Sequence, residues 1–406
     1  MKLSSPSNPK WRGWRRGELQ IHFIHTGVGE SIFAILPDST SMLIDCGDQA
    51  AITRGPHAVP VVPGPERLAG EWVARYVLRV NPNGADVDWA ILTHFHGDHS
   101  GTPYWQKYRS VFGESVKAIG DCARSGFGLA AEYLHFRRGT DRGVPGYDDP
   151  ITPSKGELGV VIQHIRALWE DLRRRDGLVA EPFRLGATDQ FTAEHGGAEG
   201  LEIRNVCANG RLAIPDGTIR DLYAERIARE HPSVLNENAM SLGMVVRYGN
   251  FRMLLGGDFS DRFPGPDGRE VFVEDYLGEA VGRCDVAKIN HHGHHAMGSA
   301  LAAALRSDAY VACVWDNLHC TDDTMESLLV PGAPDDEQPL FLPTVLPVRA
   351  DGERPWWRFV PEQCRTGCHV VVTVPPGGER YDISLIDARD EEMRVVGEFS
   401  KETRRK

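Results

Sequence analysis

The chain lacks the features that would put it in a membrane, outside the cell or along a nucleic-acid duplex. Across 406 residues, 41% of them hydrophobic, no stretch reaches the ~18–20 apolar residues of a membrane span. Residues 1–17 are Pro/Ser-rich and then basic (Trp11-Arg12-Gly13-Trp14-Arg15-Arg16), without the apolar centre of a secretory signal. The cysteines, Cys46, Cys122, Cys207, Cys284, Cys313, Cys320, Cys364 and Cys368, follow no disulfide rhythm. Cys364 and Cys368 are the one close pair, and without a second pair they make a poor zinc site. A reducing cytoplasm is the expected setting. The balance of charge is acidic: 57 Asp and Glu against 45 Lys and Arg give a formal net charge of −12, with basic tails at 1–17 and 401–406 on an acidic body. Such tails are expected to be solvated ends. Gripping a duplex through many phosphates needs matching cations, so stable duplex binding is not expected. No Gly-x-Ser-x-Gly elbow offers a serine nucleophile, and no internal repeat is visible.

Apolar runs broken by Gly27, Gly29 and Pro37-Asp38-Ser39 predict two or three strands between Glu18 and Asp45. A Pro/Gly loop follows from Ala50 to Pro65. Helical spacing from Arg67 to Val80 puts Leu68, Trp72, Val73, Tyr76, Val77 and Val80 on one face. Val87 to Leu92 reads as a buried strand, and Thr102 to Ser110 as the start of a helix. Gly156 to Arg175 has amphipathic spacing, with Val160, Val161, His164, Ile165, Leu168, Trp169 and Leu172 on one face; His164 is expected there as a core histidine. Within the turn-rich stretch Arg124 to Pro150, the string Asp141-Arg142-Gly143 carries no assignable role. Cys368 to Phe399 reads as β-rich.

One string carries chemistry. Leu92-Thr-His-Phe-His-Gly-Asp-His99 packs His94, His96, Asp98 and His99 into six residues. On a helix, residues two apart point to nearly opposite faces, so His94 and His96 could not share an ion there. In an extended loop they point the same way, and Asp98 and His99 turn toward a second position. The preceding strand gives the cluster a rigid base.

A His-x-His-x-Asp-His motif after a hydrophobic strand resembles the signature of the metallo-β-lactamase-fold hydrolases. The order of further motifs extends the likeness: Gly27-Val28-Gly29-Glu30-Ser31, Met42-Leu43-Ile44-Asp45-Cys46-Gly47, Asn238-Ala239-Met240-Ser241, Leu254-Leu255-Gly256-Gly257-Asp258 and Ile289-Asn290-His291-His292-Gly293. The series, from about Leu19 to Asn317, is similar to the branch holding the hydrolase domain of the DNA-uptake protein ComEC and the bacterial phosphorylcholine esterases. That resemblance implies an α/β fold, a four-layer αβ/βα sandwich, over 18–330. The gap between His99 and Asp258 suggests an inserted cap at about 120–190, and 331–400 would be a β-rich C-terminal extension.

Carried over by motif, His94 and His96 would hold a first metal and Asp98 and His99 a second, with Asp258 between the two. Paired glycines before Asp258 would let the backbone approach an ion. His291, the first residue past its strand, is preferred over His292 to complete the second metal; the neighbour would then bind substrate or support the site. A further ligand for the first metal is open among His195, Asn209, His231 and water. Asp45 would orient a ligand histidine through its other nitrogen. Asn317 and His319 would face the substrate. His294 and His295 depart from the small polar residues usual after His-His-Gly.

Donors of N/O type without thiolate suit two zinc ions, with manganese as a rival. The implied chemistry is hydrolysis by a metal-bridging hydroxide, with Asp98 or Asp258 handling protons. The expected substrate is a small or single-stranded phosphodiester, cut by a phosphodiesterase or nuclease. The same fold also accommodates hydrolysis of lactones, thioesters and other carboxylic esters, and a non-catalytic member is a third reading.

Overall fold

The computed structural model describes residues 9–48, 59–101, 125–143, 156–222, 237–259, 262–264, 270–346 and 352–404. β1 (Leu19–Phe23), β2 (Ser31–Ile35) and β3 (Ser41–Cys46) are antiparallel neighbours, and β4 (Asp86–Leu92) lies parallel to β3. β5 (His135–Asp141) and β6 (Val179–Ala180) continue the sheet in parallel beyond β4. A second sheet begins with β7 (Leu201–Ala208), β8 (Arg211–Ala213), β9 (Ile219–Asp221), β10 (Gly243–Tyr248) and β11 (Phe251–Gly256). β12 (Arg262–Pro264) and β13 (Glu270–Phe272) form a separate two-stranded ribbon. β14 (Val286–Lys288), β15 (Ala309–Ala312) and β16 (Leu340–Pro343) then run parallel outward from β11. β17 (Cys368–Val374), β18 (Arg380–Asp387) and β19 (Val395–Glu402) return to the first sheet, where β17 pairs with β1.

The protein is thus a mixed α/β fold built on two large mixed sheets. Strand alternation explains their packing. On β3 and β4, Met42, Ile44, Trp89 and Ile91 enter a core shared with Met244, Leu254 and Val286 of the second sheet. The intervening Leu43, Ala90 and Leu92 face a second core, which Cys46 and Val87 at the strand ends also join, with Val73 and Val77 of the helix Ala69–Val80 and Ile165 and Trp169 of the helix Gly156–Asp176. A strand segment buried on both faces has no polar side to show, so β4 is uninterruptedly apolar from Trp89 to Leu92. Each large aliphatic side chain so placed contributes ~1.5–3 kcal/mol.

Several expectations change. Leu68, placed by spacing on the helix's apolar face, is 39% exposed just before the helix starts. The range 120–190 is not a cap in its described part. β5 pairs with β4 from Asp86↔His135 to Leu92↔Asp141, and the helix Gly156–Asp176 covers it, with Trp169 Nε1 donating to Asp141 Oδ2 at 2.8 Å. Nor is 331–400 an appendage, since β16 extends the second sheet and β17 to β19 the first. The N-terminal stretch is docked from residue 9: the Trp11 N–H donates to the Met393 carbonyl at 2.8 Å, and Arg12 pairs with Glu18 at 2.7 Å. Arg404, near the other end, pairs with Asp308. No disulfide joins the described cysteines, and the Cys364 and Cys368 sulfurs lie 3.8 Å apart in the core. The expected helix at Thr102–Ser110 lies outside the described residues. No described helix is long and apolar enough to cross a membrane.

One buried acid ties a helix to the functional edge. Glu274, in the first turn of the helix Val273–Val281, accepts from Asn290 Nδ2 at 2.6 Å and from the Gly298 N–H at 3.3 Å. Burial pushes its carboxyl up to about 8, outweighing the hydrogen bonds that favour ionisation. The folded chain therefore keeps a proton that the unfolded chain releases near 4.5. This contribution to stability is complete below that value and declines as pH rises to about 8, by at most ~1.4 kcal/mol per pH unit. Denaturant unfolding at pH 5 and pH 8 should show a smaller decline in Glu274→Gln than in the wild type. Equal declines would contradict this account of the buried proton.

Candidate metal centre

The histidines and acids singled out by sequence converge where parallel strands of both sheets end. β3 carries Asp45 one residue before its end, β4 leads into His94, β11 leads into Asp258, and β14 leads into the turn Asn290–Gly293. Carboxyl ends of parallel strands are the usual place for a site in open α/β sheets. Here two such edges meet.

Asp258 Oδ2 is the hub. It lies 3.0 Å from His99 Nε2, 3.3 Å from His292 Nε2 and 3.9 Å from His94 Nε2. Asp98 Oδ2 is 3.1 Å from His292 Nε2, and His96 Nδ1 is 3.2 Å from His94 Nε2. The rings are aimed from behind. His99 Nδ1 meets Asp45 Oδ2 at 2.7 Å, and Asp45 also accepts from the N–H and hydroxyl of Thr93, both at 2.7 Å. His292 Nδ1 lies 2.8 Å from the Cys313 carbonyl, which as an acceptor leaves Nε2 facing the carboxylates. His319 stacks on His292 with centroids 4.9 Å apart and an interplanar angle of 14°.

It is His292, not the preferred His291, that enters the cluster. Both residues have left-handed backbone conformations, with φ of 47° and 53°. Two such steps, each costing ~1–2 kcal/mol in a non-glycine residue, turn the chain so that the second imidazole points inward. His291 instead has Nε2 3.2 Å from the Asn238 amide nitrogen and Nδ1 2.7 Å from the His294 carbonyl. The paired glycines also have a different reason. A Cβ on Gly257 would lie 2.6 Å from Ser241 Oγ and 2.9 Å from Thr93 Oγ1, so packing between the sheets demands glycine there. Gly47 is tighter still: its Cβ would fall 1.8 Å from the Asp98 carbonyl, which also accepts the Glu30 N–H at 2.8 Å.

Among candidates for a further ligand, His195 pairs with Asp88 at 3.0 Å and Asn209 with Arg142, so neither joins the cluster; His231 lies outside the described residues. Asn317 is half-buried in the turn closed by the His319 N–H and the Asp316 carbonyl. His295 leans outward onto Asp323 at 2.9 Å.

The structure adds a pair that the motif reading passed over. Glu30 and Lys288 are fully buried, 3.0 Å apart. Lys288 Nζ also reaches the Gly257 carbonyl at 3.2 Å and stands 3.9 Å from Asp258 Oδ1. Glu30, His99, Asp258 and His292 offer donor atoms within 4.8 Å of one another, a buried group able to bind a metal ion. Glu30 Oε2 lies behind His292, 3.5 Å from Nδ1. It therefore backs the ring, while Asp98 meets the ring's opposite nitrogen.

The donors fit divalent ions. Two imidazole nitrogens on one tetrahedral zinc, each at ~2.0–2.1 Å, stand roughly 3.3 Å apart. The pairs His94–His96 and His99–His292 are separated by 3.2 and 3.3 Å. Asp258 Oδ1 is buried and accepts no hydrogen bond from the described residues. The local field also calls for positive charge. Burial disfavours protonated His292, yet Asp258 and Asp98 outweigh it and hold its pKa at about 9. Burial likewise opposes protonated His99, but Asp258 and Asp45 carry its pKa well above the ordinary histidine value. Against family models and curated proteins, the chain matches none.

The geometry separates the adjacent histidines experimentally. His292→Ala should weaken zinc binding by more than the ~10–100-fold typical of losing a supporting residue, whereas His291→Ala should stay within about tenfold of wild type. Calorimetric zinc titration of both variants tests this, and the reverse ranking would return the ligand role to His291.

Proposed function

We propose that this chain is a dimetal-dependent hydrolase of phosphodiester bonds, with its sheets and outer helices arranged as a metallo-β-lactamase sandwich. The observation that carries the reading is the convergence of His94, His99 and His292 on one oxygen of Asp258. His94 and His96 would hold one ion, Asp98, His99 and His292 the other, and Asp258 would serve both. Zinc suits these donors and manganese is the rival. When bound, two divalent ions acidify water and polarise the oxygen of the group under attack.

The chain's own residues supply the rest. Asp45 and the Cys313 carbonyl keep His99 and His292 in the tautomers that present Nε2. Asp98 and Asp258 are the carboxylates placed to take up and hand on a proton within the site. Lys288 and Glu30 form the buried backing of Asp258. Half-buried His291 and His294, with buried His319, place three more imidazoles beside His292, where they would meet an anionic substrate. The order of sequence motifs supports a phosphodiester, and the net charge of −12 favours a small or single-stranded one over a long duplex.

The test is a substrate panel with added Zn²⁺ or Mn²⁺, comprising an aryl phosphodiester, cyclic dinucleotides, single- and double-stranded DNA and RNA, a lactone and a thioester. The expected outcome is turnover of one or more small or single-stranded phosphodiesters. Turnover of the lactone or thioester alone would overturn the phosphodiester assignment. Efficient cutting of long duplex at physiological salt would overturn the limit to small substrates.

A further inference from the structure

Arg142, just past β5, and Glu237, shortly before β10, form a pair with side chains only 1% and 3% exposed. Arg142 Nε and Nη2 donate to Glu237 Oε1 and Oε2, each at 2.6 Å, in the fork-to-fork geometry of the strongest charge-assisted bonds. Arg142 Nη1 reaches Asn209 Oδ1 at 3.2 Å, and the Asn209 amide donates back to the Arg142 carbonyl at 2.7 Å. Since Arg142 follows a strand of the first sheet while Asn209 and Glu237 adjoin strands of the second, this network crosses the seam between them.

Its third partner makes it more than a staple. Glu237 Oε1 also accepts the backbone N–H of Phe95 at 2.9 Å, and Phe95 is the residue between His94 and His96. The Arg142 guanidinium carbon stands 4.9 Å from the centroid of the fully buried Phe95 ring. Asn238, the next residue after Glu237, has its amide nitrogen 3.2 Å from His291 Nε2. A buried ion pair gains little stability over well-packed apolar residues. An apolar pair, however, could not anchor the Phe95 peptide.

We propose that Arg142 and Glu237 are positioning residues that fix the Phe95 peptide and, through it, the spacing and aim of His94 and His96. This inference rests on the metal-centre reading above. It assigns a task to the Asp141-Arg142-Gly143 string, and explains why Asn209 stands near the site without entering it. Rotation of the Phe95 peptide would swing its two flanking imidazoles apart, changing the 3.2 Å separation that suits a shared ion.

The experiment titrates Co²⁺ into metal-stripped wild type, Arg142→Lys and Glu237→Gln, following heat and visible absorption, with thermal unfolding in parallel. The event belonging to His94 and His96 is identified as the one lost in His96→Ala. Arg142→Lys keeps the charge but loses the fork, and Glu237→Gln keeps the shape but loses the charge. In both, that event should weaken by about tenfold or more and its absorption band change, while the other event keeps its affinity. Unchanged affinity and spectrum at both events would overturn the proposal. Equal weakening of both events in step with a lowered unfolding midpoint would also overturn it, as a purely structural role. Amide exchange of wild-type Phe95 provides a check independent of variant folding: strong protection is expected, and exchange at the rate of an exposed loop would refute the anchor. A wild type that takes up no Co²⁺ would refute the metal-centre reading itself, and this proposal with it.

Discussion

The structure turns on a concentration of buried negative charge. Asp45, Asp98 and Asp258 are all buried within hydrogen-bond reach of the imidazoles of His99 or His292, and a buried ammonium nearby, that of Lys288, is also engaged by Glu30. Ionised carboxylates removed from water are costly unless paired. Beside these carboxylates, His99 and His292 hold protons more tightly than ordinary histidines, despite the cost of burying the charge. The same need for positive charge would be met by divalent ions, which is why the site reads as a metal centre rather than as a histidine-rich turn.

The two sheets make that concentration possible. No single strand could bring Asp45, His94, Asp258 and His292 together, because their positions span most of the chain. Parallel pairing of β3 with β4 and of β11 with β14 aligns four carboxyl ends, and the shared core of Met42, Trp89, Leu254 and Val286 holds the two edges face to face. Glycines at positions 47 and 257 permit contacts closer than any side chain would allow. The Arg142–Glu237 pair then crosses the same seam from the side of the first two histidines.

Much of this was legible in the sequence, for identifiable reasons. The apolar run of β4 and the spacing of the helices Ala69–Val80 and Gly156–Asp176 are local patterns that packing reinforced. The clustered spacing from His94 to His99 marked the site because it suits an extended turn and little else. Other features depended on geometry that spacing does not encode. The choice between His291 and His292 depended on two left-handed backbone steps. β5, His-Phe-Arg-Arg-Gly-Thr-Asp, carries charge where a strand pattern would show apolar residues, so its place beside β4 went unread. Glu30 and Lys288 did leave a signal: each is a charged residue in a mostly apolar run, and such charges must find each other in the fold. The N-terminal cations read as a solvated tail because Glu18, which pairs with Arg12, is recognisable as a partner only once the chain has turned back.

The most direct test of the central claim is a crystal structure of the zinc- or manganese-loaded protein with anomalous data collected at the metal edge. The account predicts two metal peaks, one against His94 and His96, the other against Asp98, His99 and His292, with Asp258 contacting both. A single peak away from Asp258, or none under saturating metal, would contradict it.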